Sequence, residues 1–220
     1  ATSYGSGGGK AVAIPSGQLF AGRQAGGGTR DQVPGTSVYG SGYPGVAGRG
    51  VAGRGFPFYF WPIVWGGGTG VGTAAYLHDQ DEYGRPENSS RPGGVMTQAL
   101  ITSNSSTTSS GNITTFHLLA DNSTLSSLLT SLQSNCSSFY NSSLTSTQPQ
   151  TYFGNDTSDP QPEQAIQYFR ASSVVLTLDG YNDTAALSSD ENATQTSLPS
   201  NVDATLLECL NDTVALAVPL

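Results

Sequence analysis

Phe56-Pro57-Phe58-Tyr59-Phe60-Trp61-Pro62-Ile63-Val64-Trp65 holds six of the chain's twenty aromatic residues and both of its tryptophans. A glycine-rich stretch precedes it; a glycine run, an acidic turn and a polar, asparagine-studded region follow. A segment this apolar does not stay in water between two polar flanks. Burying its rings contributes on the order of 1.5–3 kcal/mol per large side chain before ordering costs. It is too short to cross a bilayer, which takes about 20 apolar residues. Pro57 and Pro62 also restrict it to an extended or irregular path. Two dockings stay open: against its own domain, or into a groove on a neighbouring copy. On the second, a chain beginning at Gly66 is expected to fold and remain unassembled.

Composition divides the 220 residues around that stretch. Of 28 glycines, 25 precede Val95. Residues 1–94 carry seven basic against five acidic side chains, whereas residues 95–220 carry Arg170 against eleven acids. A mildly basic arm beside a strongly acidic domain favours arm-to-domain attraction between copies. One lysine and an acidic domain offer no phosphate-binding patch, so nucleic acid is not an expected partner. No apolar run approaches bilayer length, so no membrane span is expected. The first residue is Ala1, and the reading adopted is that a secretory leader has been removed.

Three regions follow. Residues 1–55 read as a glycine-rich extended arm with one apolar island, Ala11 to Ile14 followed by Leu19 and Phe20. Residues 56–94 are the aromatic insert and a glycine-rich joint, with a short strand from Thr73 to Leu77 and a polar turn at His78 to Glu82. Residues 95–220 form an N-glycosylated α+β domain. Val95–Ile101 and Ile113–Leu119 read as a hairpin of strands. In 123–140, Leu125, Leu128, Leu129, Leu132, Cys136 and Phe139 recur at helical spacing. Pro162 opens a short helix or extended run through Phe169, and Val174–Leu178 is a strand. A last helix covers 202–211, with a terminal strand over 214–218. The expected fold is α+β: a small open sheet with two disulfide-linked helices on one face, preceded by a long extended glycine-rich N-terminal arm.

The strongest chemical signal is asparagine placement. Ten of the chain's eleven asparagines head an Asn-x-Ser/Thr motif: Asn88, Asn104, Asn112, Asn122, Asn135, Asn141, Asn155, Asn182, Asn192 and Asn211. Each presents its amide to the secretory glycosylation machinery, which adds a bulky hydrated glycan. Cys136 and Cys209 sit near the centres of the two helices' apolar arcs, so both face inward and a single disulfide is expected. No recognised catalytic constellation appears, and no enzyme activity is expected. Gly70-x-Gly72-x-x-Ala75 lacks the alternating strands and helices of a dinucleotide site, so no cofactor is expected. His78, Asp79, Asp81 and Glu82 read as a solvated turn before a cation site.

The run Gly53 to Pro62, after a Tyr/Gly-rich arm, resembles secreted glycine-rich glycoproteins of mushroom-forming fungi, a group with no assigned activity. The segment Arg170 to Asn182 is similar to theirs as well. In design the chain is also similar to subunits of glycan-coated extracellular fibrils seen in natural water, whose extended arms link successive protomers. The expected function, which the likeness in design supports, is a secreted, N-glycosylated structural protein that assembles with itself through its arm and aromatic segment into an extracellular fibril or coat. Its assembly residues would be Phe56, Phe58, Tyr59, Phe60, Trp61, Ile63, Val64 and Trp65, with Val12, Ile14, Leu19 and Phe20 as a second insert. The alternative is a monomeric cell-surface adhesion or sugar-binding module with a flexible linker; an extracellular hydrolase ranks third.

Overall fold

The computed structural model describes residues 5–46, 49–66, 74–104 and 113–220. Its strands are β1 (Val12–Ala13), β2 (Gln24–Ala25), β3 (Met96–Thr102), β4 (Thr115–Asp121), β5 (Gln150–Thr151), β6 (Ala165–Phe169) and β7 (Val174–Leu178). The α-helices are α1 (Gln80–Tyr83), α2 (Asn122–Cys136) and α3 (Ala204–Ala217). β1 and β2 pair as a small antiparallel ribbon within the arm. The main sheet is antiparallel throughout, in the order β5-β3-β4-β7-β6.

Alternation along the strands assigns the two faces. Ala99, Ile101, Phe116, Leu118, Leu176 and Leu178 share one face, the side on which α2 lies. Leu125, Leu128, Leu129 and Leu132 supply the helix side of that layer, all buried. Both long helices start on aspartate caps. Asp121 accepts from the Thr124 N–H at 2.9 Å, and Asp203 from the Leu206 N–H at 3.0 Å.

The helix ends differ from the sequence expectation. α2 stops at Cys136, and Phe139 stands beyond it in an exposed position rather than on the apolar stripe. Residues 214–218 are no strand: α3 runs to Ala217, because Val214 and Ala217 continue the helical spacing of Leu206 and Leu210 into the core. Thr73 to Leu77 likewise gives no described strand; Ala75–His78 is a 3-10 turn. The ambiguous run after Pro162 divides into a 3-10 turn and then β6.

Cys136 and Cys209 are bonded, joining α2 to α3, with a Cα–Cα distance of 5.9 Å. The bond closes a sequence separation of 73 residues. Replacing both cysteines by serine is expected to cost about 4 kcal/mol in the chain-entropy model. Urea midpoints of the double variant and of the reduced wild type test this; midpoints equal to the oxidised protein's would refute it.

The opposite face of the sheet carries the aromatic stretch. Trp65 is wholly buried; its Nε1–H donates to Tyr168 Oη at 3.1 Å, and its ring meets Tyr152 edge-on. The Val64 N–H lies 3.4 Å from Met96 Sδ, and Phe56, Phe58, Trp61 and Ile63 are buried with them. Of the two dockings open from sequence, the single chain takes the first: the stretch packs on its own domain. The sheet is therefore covered on both faces.

The arm is not extended either. Residues 33–36 run along the free edge of β6, with the Gly35 N–H on Tyr168 O at 2.9 Å. Tyr168 N–H returns to Thr36 O and Arg170 N–H to Val33 O, each at 2.8 Å. Gly35 suits this close approach: a Cβ there would stand 3.0 Å from Tyr168 O and 2.5 Å from the movable Ser41 Oγ. Val33, Tyr39, Tyr43 and Val51 bury their side chains at intervals along the arm. An ordered glycine-rich arm needs a template, and the chain's own sheet edge supplies one.

Candidate functional site

The nine described motif asparagines lie outside the core. Asn104, Asn122, Asn135, Asn155, Asn182 and Asn192 are exposed, and Asn88, Asn141 and Asn211 are half-buried. Asn112 lies outside the described residues. They are spread over structurally different positions: Asn122 opens α2, Asn135 is near its end, Asn211 sits in α3, and the other described ones occupy loops and turns. Asn88 and Asn141 fold into side-chain turns, their Oδ1 atoms accepting from Ser90 N–H at 2.9 Å and Ser143 N–H at 3.0 Å. Asn211 Oδ1 is enclosed without a partner.

The residues expected to mediate assembly divide sharply. Phe56, Phe58, Trp61, Ile63, Val64, Trp65 and Ile14 are buried, and Phe60 and Phe20 are half-buried. Tyr59 is 50% exposed, Leu19 62% and Val12 58%. Several of these meet at one place. A groove of about 340 Å³ opens between Phe20, Tyr59 and Trp61, rimmed by Leu19, Gln18 and Ser90. Its described lining holds no charged side chain. The Phe20 ring stands 5.1 Å from Trp61, edge-on, and 5.0 Å from Phe56. Phe20 and Tyr59 both adopt left-handed backbone, φ 60° and φ 53°. That conformation costs a non-glycine residue roughly 1–2 kcal/mol. Arg23 stacks over Phe20 with its charge paired to Glu82.

Sequence reasoning missed the polar hub beneath. Arg170, Ala171 and Ser172 take left-handed φ values of 49°, 49° and 63° in the turn between β6 and β7. Arg170 is fully buried and bonds Asp121 Oδ2 at 2.8 Å, Thr124 Oγ1 at 3.0 Å, Ser173 Oγ at 2.7 Å and Pro219 O at 2.9 Å. Its guanidinium also lies 3.5 Å from the Phe60 ring centroid. Ser172 accepts from the arm and the insert: Gly40 N–H reaches its Oγ at 2.8 Å, and Ile63 N–H its carbonyl at 2.9 Å. One turn thus fastens arm, insert, α2 and the C-terminal residues. Burial pulls the Arg170 guanidinium down to about 10, with Asp121 opposing. Its signal in the sequence was its isolation, as the one basic residue among eleven acids after Gly94.

Three of the arm's arginines bind main-chain carbonyls of the same chain, while Arg23 pairs with Glu82. Arg30 reaches Val218 O at 2.6 Å, Arg49 Ala185 O at 2.8 Å and Arg54 Gly40 O at 2.9 Å. Arg91, buried, clamps Tyr83 O at 2.8 Å and Pro62 O at 2.6 Å, and burial brings it to about 10. The acidic turn is absorbed too. Asp79 caps α1, Glu82 pairs with Arg23, and His78 Nδ1 donates to Trp65 O at 2.7 Å.

His117 carries the nearest approach to a catalytic arrangement. Its Nε2 is 3.2 Å from Asp179 Oδ1 and its Nδ1 3.2 Å from Gln98 Oε1, while Gln98 Nε2 donates to Asp159 at 2.7 Å. No serine or cysteine nucleophile bonds the imidazole among the described contacts. Among the described residues no group of three or more His, Cys, Asp and Glu is placed to hold a metal ion. No described helix is long and apolar enough to cross a membrane. Compared with known proteins, the chain matches no family model, no curated protein and no solved structure.

Proposed function

We propose that this chain is a secreted, N-glycosylated, non-enzymatic structural protein that assembles with copies of itself into an extracellular fibril or coat through its arm and aromatic stretch. The observation that carries the reading is the placement of the nine described motif asparagines, none of them in the core. A protein coated at so many points keeps its body in water and its contacts to the uncoated parts. The disulfide between α2 and α3 fits the same oxidising setting. The arm is held by edge pairing and carbonyl clamps, which an identical sheet on a second copy offers equally. Assembly therefore takes the form of exchange, residues 5–66 of one copy lying on the sheet of the next.

A second reading is a monomeric extracellular adhesion module, and the closure of the arm on its own domain favours it. Secreted material from a glycosylating host separates the outcomes. Enzymatic deglycosylation is expected to lower the mass by several kilodaltons, and an unchanged mass would remove the secretory argument. Negative-stain images and light scattering are expected to show filaments; discrete particles of monomer mass at high concentration would favour the second reading.

A further inference from the structure

Two glycosylation motifs meet at the disulfide. Cys136 is the middle residue of Asn135-Cys136-Ser137, and Cys209 stands two residues before Asn211-Asp212-Thr213. Contacts tie them closer still. Thr213 is buried with its Oγ1 3.4 Å from Cys136 Sγ, and Cys209 Sγ lies 3.5 Å from Asn135 O. Both motifs are also helical: Asn135 and Cys136 end α2, Ser137 caps it at φ −60° and ψ −23°, and residues 211–213 lie inside α3. Side chains two apart on a helix point about 200° apart, so amide and hydroxyl face opposite sides. At Asn88 and Asn141, outside the helices, the amide instead turns onto the N–H of the motif's own serine. A motif defined by an asparagine and a hydroxyl two residues on is read through both groups together. The folded helices therefore withhold both motifs from a transferase, although Asn135 itself is exposed. In α3 the closure is double, since Thr213 is buried and Asn211 Oδ1 is enclosed.

We propose that closure of the Cys136–Cys209 bond ends glycosylation at Asn135 and Asn211, so that competition between the two reactions sets how much sugar the paired helices carry. The proposal rests on the secreted-glycoprotein reading above. Sugar transfer joins the asparagine Nδ2 to the anomeric carbon of an oligosaccharide carried on a lipid pyrophosphate. The bond from that carbon to the pyrophosphate breaks, the pyrophosphate leaves with the electron pair, and the amide gives a proton to a base of the transferase. Closure of the disulfide runs by thiol–disulfide exchange: the two thiols lose two electrons and two protons, and the disulfide of a lumenal oxidoreductase becomes a dithiol. Transfer needs α2 and α3 open at these motifs; the bond, closing a separation of 73 residues, stabilises them against opening. Asn122-Ser123-Thr124, at the far end of α2, is helical too, but its Thr124 hydroxyl is held by Arg170 at 3.0 Å, away from the bond.

The full chain, expressed in a glycosylating eukaryotic host, supplies the test. Cys209→Ser breaks the bond and leaves every motif intact. Peptide mapping of cell-associated and secreted protein together reads occupancy whether or not the variant folds. Wild-type protein is expected to be partly bare at Asn135 and Asn211, and the bare fraction at both to fall severalfold in Cys209→Ser. Asn122 and the exposed loop motifs Asn155 and Asn182 should keep their wild-type occupancy. Cys136→Ser should repeat the gain at Asn211, and dithiothreitol present during synthesis of the wild type should produce it at both motifs without a substitution. Unchanged occupancy at Asn135 and Asn211 without the bond, full occupancy of both in the oxidised wild type, or Asn122 rising in step with them overturns the proposal and leaves the glycoprotein reading standing. Sugar at none of the motifs overturns both.

Discussion

A chain truncated to begin at Gly66 is expected to lose its cooperative fold. The cut removes Phe56, Phe58, Ile63, Val64 and Trp65, all of them buried, with Val64 and Trp65 reaching Met96 and Tyr168 of the sheet. At about 1.5–3 kcal/mol per large side chain, that burial rivals the whole net stability of a domain, about 5–15 kcal/mol. The cut also strips the β6 edge of residues 33–36 and leaves Ser172 without its two backbone donors. Met96, Val175 and Tyr168 would face water on a bare sheet. Because a truncation can fail for several reasons, the graded variant is Trp65→Ala in the full chain, expected to cost about 3–5 kcal/mol. Urea melts followed by circular dichroism, with gel filtration, read both. A monomeric truncated chain with a sharp melt near the wild-type midpoint would show that the stretch is dispensable to the fold.

That expectation reverses the one drawn from sequence, and the reason is instructive. The leucine stripe of α2 and the two cysteines were legible because a helix repeats its buried positions locally. So were β3, β4 and β7, whose β-branched runs need no distant partner to be recognised. The arm's apolar residues follow neither a helical nor a strand period. Val33, Tyr39 and Val51 stand singly in the arm, and each finds its partner far along the chain, in Arg170, Ile63 and Tyr83. Tyr39 Oη donates to Ile63 O at 2.6 Å, and Arg30 reaches Val218 O. Glycine content signals freedom in the unfolded chain, yet here it also permits the close approach that Gly35 makes to β6. The candidate site divides the same way. The motif asparagines were readable one at a time, whereas the groove joins Phe20 to Trp61 and Ser90 only through the fold.

Alkali should unfold this protein steeply. Tyr39, Tyr43, Tyr152 and Tyr168 are buried, and burial first of all holds each phenol well above its ordinary value. Trp65 donates to Tyr168 Oη, which pulls that phenol slightly down without offsetting burial. In the unfolded chain each loses its proton near pH 10, about the model-peptide value. Above that pH the folded state holds more protons than the unfolded one, so stability is intact below about pH 10 and falls as pH rises. The slope is about 1.4 kcal/mol per pH unit for each tyrosine. Arg91 and Arg170, drawn down to about 10 by burial, work in the opposite sense, since the unfolded chain then holds the extra proton. Two arginines against four tyrosines leave the tyrosines dominant, with Tyr83 adding in the same direction. Denaturant midpoints at steps from pH 9 to about pH 12 are expected to drop steeply beyond about pH 10, with the phenolate absorbance of the buried tyrosines appearing together with unfolding rather than before it. Tyr43→Phe removes one linked proton and should flatten the slope by about 1.4 kcal/mol per pH unit. All phenols, Tyr39 and Tyr43 among them, titrating near pH 10 in the folded chain would contradict the burial of the arm's tyrosines, and with it the docking of the arm.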